Sequence, residues 1–107
     1  ENNMGLSFLS EGEGGKALEY FQRAVLRSPQ DTKFDNNRRL ALLMQKKYSA
    51  ALQALDSERA SLILSDAGVI ALGQDDPKLA RFMFEKAQSL SPVYNADIER
   101  RLAQLDG

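Results

Sequence analysis

Five landmarks recur in this chain at one fixed interval. Gly5, Ala17, Phe21, Ala24 and Pro29 are followed 63 residues later by Gly68, Ala80, Phe84, Ala87 and Pro92. Between the two sets, Ala51 and Leu55 stand 34 residues after Ala17 and Phe21, marking a middle copy that is shortened by about five residues before the third begins. A chain written this way repeats one supersecondary unit, and each copy buries its apolar face against a neighbour.

The landmarks are those of paired antiparallel helices. Ala17, Phe21 and Ala24 fall at i, i+4 and i+7 on one helical face. Small residues there let two backbones approach while the ring between them fills the remaining gap. Gly5 and Gly68 stand mid-helix, where glycine costs about 1 kcal/mol relative to alanine, so a closely packed facing helix is the expected compensation. Pro29 and Pro92 follow the second helix of their copies and stop it. Composition agrees: 13 Ala and 16 Leu stand against seven Val, Ile and Thr combined, an all-α balance. The breakers place helices near residues 2–11, 15–27, 32–45, 48–56, 61–73, 77–89 and 95–105. Asp76 before Pro77 has the character of an N-cap, Asn95 or Asp97 could cap the last helix, and residues 56–60 read as a tight connection after a truncated helix.

The 107 residues suit one domain, with a net charge of −1 that collects neither nucleic acid nor an acidic membrane. No run approaches the 18 to 20 apolar residues of a membrane span. The absence of Cys and His removes thiolate nucleophiles, imidazole bases and the usual zinc ligands. No cofactor or metal is expected, and no enzyme. Asp66, Asp75 and Asp76 lack the alternating oxygens and glycine of a calcium loop. Gly12-Glu13-Gly14-Gly15 has no strand before it and no Lys-Ser/Thr after it, and so reads as a turn. Arg38-Arg39 and Lys46-Lys47 read as a solvated helix face.

The 34-residue spacing with Gly, aromatic, Gly, Ala, aromatic, Ala and Pro resembles the tetratricopeptide repeat (TPR). The first copy fills the major positions with Gly5, Phe8, Gly12, Ala17, Phe21, Ala24 and Pro29, and Glu1 replaces the early aromatic. The second puts Arg38 and Arg39 where the family usually has Leu and Gly, and Lys46 at the turn glycine. The third moves its turn glycine to Gly73 and inserts Gln74-Asp75-Asp76-Pro77, so its first helix is expected to end early. The resemblance implies a helical-hairpin solenoid of three repeats, about 1–31, 32–60 and 61–92, closed by a capping helix from Tyr94 to Leu105.

In such solenoids the first helix of each pair lines a concave, partner-binding groove. By the resemblance, the groove positions are Asn2, Asn3, Leu6 and Leu9, then Asn36, Asn37, Leu40, Leu43 and Met44, then Leu62, Asp66, Val69 and Leu72. This apolar floor with an amide rim suits a protein or peptide segment with apolar anchors. Leucines at helical spacing are also what a core requires. Asn3 and Asn37 resemble the asparagines that hold a terminal carboxylate in clamp-type TPRs, but Leu62 and Asp66 stand where the clamp needs bases, so carboxylate capture is not expected.

Gly5 to Gly12, Ala17 to Ala24, Asp35-Asn36-Asn37 and Ala67 to Gly73 further resemble the TPR lipoprotein of tight-adherence (Flp) pilus assembly. That resemblance implies an adaptor for pilus or secretion components, periplasmic and tethered to the outer membrane through an upstream lipidated cysteine, the segment itself inserting in no membrane. A self-associating structural module forming a homo-oligomer, and a cytoplasmic chaperone of an exported subunit, are the alternatives.

Overall fold

A computed structural model describes residues 2–91, 93 and 95–106, and for residues 2 and 3 the backbone alone. Among the described residues the protein consists of helices and their connections, with no strand. In chain order the helices are α1 (Asn2–Ser10), α2 (Gly14–Arg27), α3 (Thr32–Met44), α4 (Tyr48–Leu52), α5 (Ser57–Gly73), α6 (Pro77–Leu90) and α7 (Ala96–Asp106). They gather into two compact units, Glu1–Gln53 and Ala54–Gly107. In the first unit α2 packs on α1 and α3, and α4 on α3. In the second, α6 packs on α5 and α7. The expected stop at Pro92 and the start of the last helix at Tyr94 lie outside the described residues.

The recurring landmarks do the same work in both units. Ala17, Phe21 and Ala24 are the buried residues of α2, and Ala80, Phe84 and Ala87 are buried with Met83 on α6. A methyl built on Gly5 would come within 2.5 Å of Phe21 Cε1, and one on Gly68 within 2.6 Å of Phe84 Cε1. Each glycine is therefore the flat seat of one phenyl ring, which is what offsets its poor helix propensity. Ala17 has no exposed surface, whereas Ala50 faces solvent. Ala17→Leu is thus expected to overpack the α2 crossing and cost about 1–3 kcal/mol in a denaturant titration. Ala50→Leu should stay within about 0.5 kcal/mol of wild type.

Three turns repeat as well. The amide of Gly12 donates to Leu9 O and that of Glu13 to Phe8 O. Lys46 and Lys47 donate in the same way to Leu43 O and Leu42 O, and Asp75 and Asp76 to Leu72 O and Ala71 O. Each pair is a Schellman closure, whose first residue must take the left-handed conformation. Gly12, Lys46 and Asp75 do so, with φ of 82°, 64° and 58°. This corrects the reading of the third copy. Its turn position is not moved to Gly73, which is the last residue of a 17-residue α5. The position is kept at Asp75, 63 residues after Gly12. Lysine in this conformation is strained where glycine is not. Lys46→Gly is expected to stabilise the fold by about 0.5–1 kcal/mol, read as a raised denaturation midpoint with unchanged slope.

The middle copy departs most. Arg39 occupies the position equivalent to Gly5, one 34-residue step on. Its side chain is 8% exposed as a residue, with Nε donating to Asp35 Oδ2 at 2.9 Å and Nη1 to the carbonyls of Ala51 and Gln53 at 2.9 and 2.7 Å. Those carbonyls belong to the last turn of α4 and to the residue that caps it, where unpaired acceptors and the negative end of the helix dipole favour a cation. The guanidinium thus closes α4 after only five residues. Leu55, expected on this helix, stands beyond it in the connection. The chain then reverses through Ala54, at φ 63°, and Asp56 accepts from the Arg59 amide at 2.8 Å to start α5. Residues 56–60 are accordingly the cap and first turn of α5, not a loop, because a capping aspartate ahead of a Ser-Glu-Arg-Ala turn begins a helix. Asp31 caps α3, Asp76 caps α6, and Asn95 Oδ1 accepts from the Asp97 and Ile98 amides to cap α7.

Candidate partner-binding face

α5 is buried along Ala60, Ile63, Leu64, Ala67, Gly68 and Ala71, and its opposite face looks outward. Leu62, Val69 and Leu72 on that face are 56%, 42% and 37% exposed. Asp66 is exposed between Leu62 and Val69, one turn from each. Partial burial of its carboxyl raises its pKa above the usual carboxylate value. Among the described residues it has no hydrogen bond or ion pair. The third-copy groove positions are therefore brought together on one outward helical face.

The earlier copies divide differently. Leu6 is exposed, but Leu9, Leu40 and Leu43 are buried, Leu43 completely. These three are core residues and present nothing to a partner. The reason is their place on the side of α1 and α3 where the helices pack, the alternative that leucine periodicity always carries. Asn36, Asn37 and Met44 are half-buried, and neither asparagine is free of partners. The side chains of Asn2 and Asn3 lie outside the described residues, so the clamp comparison rests on Asn37 alone.

The two basic pairs do not make one solvated face. Lys46 and Lys47 are exposed, but Arg38 and Arg39 both turn to Asp35, Arg38 Nη2 lying 2.6 Å from its Oδ1. Burial works against the Asp35 carboxylate, yet the hydrogen bonds and charges of Arg39 and Arg38 outweigh it and hold its pKa below the ordinary value. Asp76 is spent on its cap and Asp75 on its turn. Among the described residues no group of three or more potential metal ligands forms, and no helix is long and apolar enough to cross a membrane.

Two surface pockets were not anticipated. One of about 210 Å³ lies where the first turns of α5 meet the segment before α7, lined by Glu58, Ser61, Leu62, Ser91, Val93 and Asn95. Ser61 Oγ donates to the Ala87 carbonyl at 2.7 Å and forms part of its inner wall. The other, of about 320 Å³, lies between α2 and α3 at Gln22, Val25, Leu26 and Arg38. In the sequence Glu58 falls within the expected 56–60 connection, where no helical face is defined for it. Once α5 begins at Ser57, Glu58 is one turn before Leu62 and continues the same outward stripe. No protein-family model matches the chain, and no curated protein is significantly similar to it.

Proposed function

We propose that this protein is a non-catalytic protein–protein interaction scaffold of TPR type, a helical-hairpin solenoid that binds a partner segment through the outward face of its first helices. The observation that carries the reading is the α5 stripe. Three large aliphatic residues, Leu62, Val69 and Leu72, stand in water on a helix whose other face already holds a complete core. Exposed aliphatic residues in a row at helical spacing favour docking of an apolar segment. The TPR reading is supported by the Gly5–Phe21 and Gly68–Phe84 seats, 63 residues apart, and by three equivalent turns, the first two 34 residues apart and the first and third 63. The narrower reading, an adaptor of pilus or secretion assembly in the periplasm, rests on the local wording of the sequence.

Affinity capture tests this, with wild type against Leu62→Ser, Val69→Ser, both shown by light scattering and circular dichroism to be folded and of known mass. These positions are chosen because Leu40 and Leu43 are core and their loss would unfold the protein. The expected result is a monomer whose captured protein, purified and returned, binds wild type and loses about tenfold or more in affinity for the variant. Pilus or secretion components among the captured set would support the narrower reading. An unchanged set, with a wild-type dimer that the variant dissolves, would replace the adaptor by the self-associating module.

A further inference from the structure

Along the outward face of α5 the order is Glu58, Leu62, Asp66, Val69, so that acid and aliphatic residues alternate turn by turn. Glu58 and Asp66 are eight residues apart, about 12 Å along the helix axis. Among the described residues neither carboxylate has an ion-pair partner. Elsewhere the aspartates of the helices are matched from within: Asp35 by two arginines, Asp97 by Arg100 and Arg101, Asp106 by Arg81. The sole base on α5, Arg59, is itself not free of partners. At one end of the stripe the pocket beside Leu62 is lined by Glu58 and Val93, a recess of about 210 Å³ that sets acidic and aliphatic side chains side by side.

From this alternation we infer that the α5 face selects a partner segment in which apolar anchors are interleaved with Lys or Arg. One anchor enters the recess beside Leu62, a second lies over Val69, and the bases pair with Glu58 and Asp66. The inference rests on the scaffold reading and adds the partner's charge to it. An apolar segment without bases would shield both carboxylates from water with nothing to compensate, and an acidic one would add repulsion. The raised pKa of Asp66 has the same physical origin, a carboxyl already partly withdrawn from water. A base arriving there offsets that loss of hydration.

A phage-displayed library of random dodecapeptides, selected on the purified chain, supplies the probe. Amide shifts in the presence of a selected peptide then locate its site. Asp66→Asn, Asp66→Lys and Leu62→Ser, each checked for native amide spectra, are the variants. The expected result is enrichment of peptides that combine Leu, Ile or Val with Lys or Arg and shift Leu62, Asp66 and Val69. Asp66→Asn should weaken their binding roughly two- to fivefold, the range of an exposed ion pair, and Asp66→Lys more. Leu62→Ser should weaken it as well. Apolar peptides that shift α5 without enrichment in bases, and bind all Asp66 variants alike, would overturn the charge selection and leave the scaffold reading standing. Peptides that bind away from α5, or no selected peptide at all, would overturn both.

Discussion

Phe84→Ala is expected to remove about 3–5 kcal/mol of stability, because its ring is fully buried and the cavity left behind opens onto a glycine that cannot fill it. Equilibrium denaturation measures this directly, and a second substitution identifies the cause. Gly68→Ala alone should destabilise by about 1–3 kcal/mol, since its methyl would meet the ring edge at 2.6–2.8 Å. In the Phe84→Ala background the same methyl enters empty space on a helix that prefers alanine, and its effect should turn favourable by up to about 1 kcal/mol. A double-mutant cycle with a coupling of about 2 kcal/mol would establish the glycine as the ring's seat. Additive effects would mean that the glycine serves no such purpose.

Arg39→Met is the second large effect, at about 2–4 kcal/mol. Methionine retains the apolar stem but leaves the Ala51 and Gln53 carbonyls and one oxygen of Asp35 without their donor. Asp35 is partly solvated, which keeps the loss below that of a fully buried pair. The pH dependence has a definite sign. The folded pKa of Asp35 lies below its unfolded value, so its ionised form contributes stability above the unfolded pKa, and that contribution is lost as pH falls through the folded one. The gap between wild type and Arg39→Met should accordingly narrow on acidification below the ordinary carboxylate range. A gap independent of pH would assign Arg39 to the α4 carbonyls alone.

Helix content was legible in the sequence because alanine, leucine and the breakers act locally. Even α4, cut short in the middle copy, was expected to be truncated. The seats of Phe21 and Phe84 were legible for a different reason: a glycine inside a helix needs an explanation, and an equally spaced aromatic supplies one. The start of α5 was missed. Its signal, Asp56 two residues before Glu58, was present but competed with the apparent shortening of the copy. Arg39 was misplaced because an arginine pair on a helix ordinarily reaches water, and its burial depends on Ala51 and Gln53, which lie 12 and 14 residues away. The candidate face was half legible. Leu62, Val69 and Leu72 share a periodicity with Leu40 and Leu43, and periodicity marks a face without stating whether a neighbour covers it.

A helix of five residues has no cooperative stability of its own, so α4 depends on the packing of Ala51 against its neighbours and on the one side chain of α3 that holds the Ala51 and Gln53 carbonyls. At and just past that grip stand Gln53 and Ala54, both exposed and at the boundary of the two compact units. Limited proteolysis is therefore expected to cut first at the chain's own midpoint, and Arg39→Met to hasten that cut.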